Sequence, residues 1–113
     1  MECTFRDAQG VAIIEITGGL DAVHGARLEQ LLDRLLGEGR RHFVVDLKRV
    51  DGIDSPGLAA LVRGFNYVRR RAGTLCLVHL QPPVQYILTL MRLDRVFESR
   101  TDVAEAVQCC LGT

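Results

Sequence analysis

Val50-Asp51-Gly52-Ile53-Asp54-Ser55-Pro56-Gly57-Leu58-Ala59-Ala60-Leu61-Val62 joins an apolar, strand-like run to the start of an amphipathic helix. A serine directly before a first helical turn can accept hydrogen bonds from the N–H groups two and three residues on, here Gly57 and Leu58, so Ser55 is expected at the N-cap. Pro56 then falls at the first helical position, where a missing N–H costs nothing. Beyond it Leu58, Leu61, Val62, Phe65 and Val68 recur at helical spacing, and Arg69, Arg70 and Arg71 precede a stop at Gly73. Gly57, Ala60 and Gly64 add a stripe of small side chains to this helix, which either allows close packing within the domain, the expected use, or leaves a shallow surface for a partner. The same turn offers Ser55 a second use, because a phosphate there would meet N–H groups and the positive end of the helix dipole. Cap and phosphate switch are the two readings the rest of the chain must weigh.

Upstream, Phe43-Val44-Val45-Asp46-Leu47 reads as a buried strand. Before it, from about His24, Leu28, Leu31, Leu32, Leu35 and Leu36 form the stripe of a helix with one buried face, ended by Gly37 and Gly39. Arg40-Arg41 is expected to serve the negative end of that helix's dipole. Strands over 2–7 and 11–17 flank Ala8-Gln9-Gly10, a hairpin connection, and Gly18-Gly19-Leu20-Asp21 ends the second of them. Downstream come a strand over 74–80, a helix from Pro82-Pro83 to about Arg92 and a brief strand at Val96-Phe97-Glu98. Thr101, with Glu105 four residues on, is expected to open a final helix toward Leu111. Strands alternating with helices define an α/β fold: one domain over 1–113, a mixed but mostly parallel sheet of about four or five strands, right-handed β-α turns, about four helices and an N-terminal β-hairpin.

Composition narrows the function. The 14 basic and 14 acidic residues cancel, so no global field draws the chain to nucleic acid or an anionic membrane. No apolar run approaches a membrane span, and Met1-Glu2-Cys3-Thr4 has neither a basic n-region nor an apolar h-region, so a cytoplasmic protein without membrane insertion is expected. The 4 cysteines, at positions 3, 76, 109 and 110, form no Cys-x-x-Cys and are expected to be reduced thiols. Cys110-Leu111-Gly112-Thr113 has the length of a prenylation signal, but Gly112 stands where that signal takes an aliphatic residue.

Most enzymatic readings fail at named positions. A nucleophile elbow on Ser55 wants a small residue where Ile53 stands, and no Asp or Glu separates Ser55 from His79, the one histidine after it. His24, His42 and His79 are isolated in sequence, and cap, solvent-facing or strand positions are expected of them. The P-loop pattern is absent, and Gly18-Gly19 lacks dinucleotide-fingerprint spacing. A receiver domain built on Asp54 would need a lysine after a late strand, and the sole lysine is Lys48. Asp21, Asp51 and Asp54 fall at corresponding strand ends; unbound loop carboxylates are expected there, with no metal and no cofactor.

Ile53-Asp54-Ser55-Pro56-Gly57-Leu58, preceded by the strand at 43–47 and by Gly19-Leu20-Asp21, resembles the STAS domain of bacterial anti-sigma-factor antagonists. The likeness covers essentially the whole chain and includes Leu93-Asp94-Arg95-Val96-Phe97, which is similar to the family's segment before its last helix. It implies a regulatory binding module, not an enzyme, in a partner-switching pathway of transcription. The family's Asp-Ser/Thr-Ser-Gly motif places the phosphorylated residue directly after the Asp, which is Ser55 here, and implies as partner an anti-sigma factor with serine-kinase activity that binds the ATP. The unphosphorylated antagonist holds this partner and frees the sigma factor; the phosphorylated form lets go. Pro56 departs from the motif by standing where a second serine usually does. The partner-binding set expected on this basis is Asp21, His24, Asp54, Ser55, Pro56, Gly57, Ala59, Ala60 and Arg63, with small Gly57 and Ala60 admitting the partner close to the helix start. The alternative is a constitutive STAS subunit of a larger assembly, such as a lipid-transport ATPase complex or a stressosome-like scaffold.

Overall fold

The computed structural model describes residues 2–112, so the expectations that rest on Met1 and on Thr113 of the Cys110–Thr113 tetrapeptide lie outside the described residues. The elements in chain order are β1 (Glu2–Ala8), β2 (Val11–Thr17), α1 (Ala22–Gly37), β3 (His42–Arg49), α2 (Ser55–Arg70), β4 (Thr74–Val78), α3 (Pro82–Leu90), a 3-10 turn (Leu93–Arg95), β5 (Glu98–Arg100) and α4 (Val103–Cys110). They build a five-stranded sheet in the order β1-β2-β3-β4-β5. β1 and β2 pair antiparallel, and every later neighbour is parallel. This is the α/β architecture the pattern implies.

Local chemistry explains the joints. Gln9 and Gly10 both have positive φ (55° and 84°), the requirement of a tight two-residue hairpin turn, so β1 runs through Ala8 before turning. β2 lies between β1 and β3 with Val11 to Ile14 fully buried, as its continuous apolar run requires. The last strand begins later than Val96, at Glu98, because Phe97 turns inward and stacks edge-on against Phe65, ring centroids 4.9 Å apart.

The two faces of the sheet are covered unequally. Ile14, Ile16, Phe43, Val45, Leu47, Leu75 and Leu77 meet Leu28, Leu32 and Leu35 of α1, Leu61, Phe65 and Val68 of α2, and Val84 and Leu88 of α3. The opposite face, with Val11, Ile13, Val44, Cys76 and Val78, is packed by Ala106, Val107 and Cys110 of α4. α1 and α2 lie close together because small residues face each other. A Cβ on Gly25 would sit 2.6 Å from the Ala60 Cβ, and one on Gly64 would sit 2.8 Å from Leu32 Cδ1.

Two expectations from the sequence are corrected by the structure. Arg40 and Arg41 do not serve the end of α1, whose last turn holds Arg34 instead. Arg40 pairs with Asp7 of β1 at 2.5 Å, and Arg41 donates to the carbonyl of Arg71, just past the end of α2. At α4 the cap is Asp102, whose carboxylate accepts from the Glu105 N–H at 2.8 Å; Thr101 bonds the Glu105 side chain at 3.0 Å.

Candidate functional site at the start of α2

The loops after β2 and β3 run side by side. The Gly18 N–H donates to Arg49 O, Leu20 to Gly52 O and Asp54 to Leu20 O, with a parallel bridge joining Leu20 and Ile53. Asp21 and Asp54 each come directly after one residue of that bridge, and each caps the helix it precedes. Two helix N-termini therefore open at one edge of the sheet.

At α2 the cap is Asp54, not Ser55. Asp54 is extended (φ −108°, ψ 179°), its Oδ1 accepts from the Gly57 N–H at 2.9 Å and its carbonyl accepts from Leu58 at 2.8 Å. The expectation for Ser55 is shifted by one residue, with Ser55 at the first helical position and Pro56 at the second. A carboxylate is at least as good a cap as a hydroxyl, and it brings a full negative charge to the positive end of the helix. The Ser55 hydroxyl is thereby released from structural duty and stands exposed. Of the first-turn donors, Gly57 and Leu58 are committed to Asp54 and Pro56 has none, which leaves the Ser55 N–H.

The smallness of Gly57 and Ala60 has an internal purpose. A Cβ at Gly57 would stand 1.8 Å from the Leu20 carbonyl oxygen, so the backbone after β2 lies directly on the helix start. Ala60 is 2% exposed and abuts Gly25. Both are spent on α1 and its entry loop, which is the close packing expected of them and leaves neither open to a partner as the resemblance implied. His24 is likewise buried: its N–H (2.9 Å) and ring Nδ1 (3.0 Å) both reach Asp21 Oδ1, while its Nε2 has no partner. The His24 backbone N–H, with the ring after it, holds the Asp21 carboxyl below its usual range against an opposing desolvation.

Among the expected site residues, Asp54, Ser55, Pro56, Ala59 and Arg63 remain on the surface, and Asp21 is half-buried at its margin. Arg63 is held by a bidentate pair with Glu29 of α1 (2.8 and 3.2 Å). Asp21, Asp51 and Asp54 form no cation cage, since no group of three such ligands gathers among the described residues.

The residues missed from sequence are apolar. Ser55, Leu58, Ala59, Val62 and Arg63 line one side of an open groove of about 520 Å³, and Met91 and Leu93 line the other. Arg92 adopts a left-handed conformation (φ 60°), which turns the chain after α3 so that Met91 and Leu93 come alongside α2. Leu90 and Met91 are 62% and 57% exposed. Their signal was present in the sequence: they fall outside the Val84–Leu88 stripe that α3 buries, so an apolar pair remained without an internal use.

An α/β sheet with successive β-α turns, whose second β-α junction presents an exposed serine directly after a capping aspartate, defines the class. The chain belongs to the STAS domain family, whose model matches residues 3–106. Among curated proteins it is 28% identical to BtrV of Bordetella bronchiseptica over 98% of each chain, a protein whose name places it, provisionally, among anti-sigma factor antagonists. It is 26% identical to the anti-sigma-F factor antagonist RsfB of Mycobacterium tuberculosis, covering 92% of this chain and 84% of that one. Among solved structures, TM1081 of Thermotoga maritima superposes with a TM-score of 0.88 at 22% identity, covering 96% and 93% of the two chains. The phosphorylated form of Bacillus SpoIIAA superposes at 0.73 with 16% identity, covering 95% and 97%. At such identities the structural likeness speaks for the fold. No described helix is long and apolar enough to cross a membrane.

Proposed function

We propose that this chain is an anti-sigma factor antagonist, a binding module without catalysis of its own, switched by phosphorylation of Ser55 in the cytoplasm. Its partner is an anti-sigma factor with serine-kinase activity that supplies the bound ATP. The observation that carries this reading is the exposed Ser55 hydroxyl, relieved of capping by Asp54 yet fixed at the first position of α2. The names of BtrV and RsfB support the pathway, and the phosphorylated SpoIIAA structure supports a covalent switch on this fold.

The unmodified domain docks through Asp54, Ser55, Pro56, Ala59 and Arg63, with Leu58, Val62, Met91 and Leu93 supplying apolar area beside them. Asp21, His24, Gly57 and Ala60 hold this surface in position from below. Phosphorylation adds about 1.5 to 2 negative charges at a helix N-terminus, where the fold accepts them. Pro56 has removed an N–H that could have bound the phosphate, so the dianion projects toward the docked partner beside the Asp54 carboxylate. Binding is then lost through like-charge repulsion and the cost of desolvating the new charge.

The test is ATP-dependent labelling of the chain by the cognate anti-sigma kinase. Label on wild type and none on Ser55→Ala is the expected result. Equal labelling of both, or a stable complex with a transporter ATPase in cells where Ser55 is never modified, would point instead to a constitutive subunit of a larger assembly.

A further inference from the structure

α4 covers its face of the sheet with an unusual choice of side chains. Cys76 of β4 is buried, Cys110 of α4 is buried and donates to Phe43 O at 3.4 Å, and Cys109 is half-exposed. Cys109 packs against the cluster of side chains that holds Cys76 and Cys110. Arg100 of β5 donates from its guanidinium to Cys109 Sγ at 3.2 Å, while its other contacts go to Glu98 and to Ser99 O. Cys109 also lines an open groove of about 470 Å³ with Arg100, Ala104, Glu105 and Gln108. Small apolar packing accounts for Cys76 and Cys110. It does not account for a half-exposed thiol that packs against the Cys76 cluster and accepts from a guanidinium.

We propose that Cys109 and Cys76 form an oxidisable dithiol, in which Cys109 reacts with a hydroperoxide entering the open groove and Cys76 resolves the product to an intramolecular disulfide between α4 and β4. A guanidinium beside sulfur is the setting that favours nucleophilic thiolate. In the first step the Cys109 thiolate attacks the peroxide's distal oxygen; the S–O bond forms, the O–O bond breaks, and the departing hydroxide or alkoxide takes a proton. Cys109 is now a sulfenic acid. In the second step Cys76 Sγ attacks Cys109 Sγ; the S–S bond forms, the S–O bond breaks, and hydroxide leaves with the Cys76 proton as water. Two thiols are oxidised, one hydroperoxide is reduced, and one water and one further water or alcohol are released.

The order of the two thiols is set by their surroundings. Burial first, and then the neighbouring Cys109 and Cys110, pushes the Cys76 thiol up to about 12, so Cys76 is held as a protonated thiol, whereas the half-exposed Cys109 is the one a peroxide can reach. Ser55 lies on α2, on the other face of the sheet, so oxidation leaves the proposed switch surface in place.

Reduced protein treated with stoichiometric hydrogen peroxide, alkylated and digested with trypsin tests the pair. The expected product has lost two hydrogens and links the Cys76 peptide to the peptide containing Cys109 and Cys110, reversibly with dithiothreitol. Cys110→Ser retains the link, Cys109→Ser abolishes it, and Cys76→Ala leaves a sulfenic acid that dimedone traps. Should Cys76→Ala fail to fold, the Cys109→Ser and Cys110→Ser pair decides alone. Arg100→Gln slows peroxide consumption several-fold while circular dichroism remains unchanged. A Cys109–Cys110 bridge, a link that survives in Cys109→Ser, or wild-type thiols all alkylated after peroxide would overturn the proposal.

Discussion

The aspartates that cap α1 and α2 each stand one residue beyond the same Leu20–Ile53 bridge, yet only one helix start is free for chemistry. At α1 the Asp21 oxygen takes two bonds from His24, and the His24 ring is packed beneath the chain. At α2 the Asp54 oxygen takes one N–H, and the next residue presents a hydroxyl to solvent. The difference lies in the residues just after the cap. A buried ring closes the first junction, whereas Ser55-Pro56 leaves the second open and removes a donor from it.

The largest expected effect comes from pushing the two junctions apart. Gly57→Ala places a methyl group 1.8 Å from the Leu20 carbonyl oxygen, a backbone atom that cannot swing aside. It should cost about 3 kcal/mol or more in denaturant melts, at or beyond the usual range for overpacking. A loss below about 1 kcal/mol would mean the loops are not in this contact.

The caps themselves come next. Asp54→Ala should cost about 1 kcal/mol, whereas Ser55→Ala should stay within about 0.5 kcal/mol of wild type. The reverse ranking would return the cap to the serine.

At α1 the expected effect is smaller and depends on pH. The Asp21 carboxyl titrates below its usual range when folded, so its contribution is complete above the unfolded carboxylate pKa and is lost as the pH falls through the folded value. Asp21→Asn keeps an acceptor for the His24 N–H but should flatten that acid-side decline in thermal melts. An unaltered decline would place the linkage on another group.

The two junctions also show how far the sequence could be read. Leucine spacing in α1, the buried runs of β2 and β3, and the glycine stops establish element order, and crossover handedness then leaves few arrangements of the sheet. The Ile53-Asp54-Ser55 stretch marked the right junction but put the cap on the wrong residue, and Thr101-Asp102 repeated the slip at α4. In both places a hydroxyl and a carboxylate are neighbours, both residue types make good caps, and the backbone bend that chooses between them is set by contacts distant in sequence, such as Asp54 N–H to Leu20 O. Close packing of Gly57 and Ala60 was legible from their size, whereas the burial of His24 was hidden for the same reason as the cap, since it depends on α1 lying against α2. The groove with Met91 and Leu93 needed the left-handed turn at Arg92, which no residue preference announces.

The central claim is that modification of Ser55 changes what the domain binds without changing its fold. Calorimetric titration of the cognate anti-sigma kinase into the unmodified, Ser55→Ala and Ser55-phosphorylated chains, each melted in parallel, tests it most directly. The account predicts comparable affinity for the first two, a loss of at least about tenfold for the phosphorylated chain, which is ~1.4 kcal/mol, and a melting temperature for that chain within a few degrees of the unmodified one. Equal affinities for all three, or lost binding only where the phosphorylated chain has also unfolded, would contradict it.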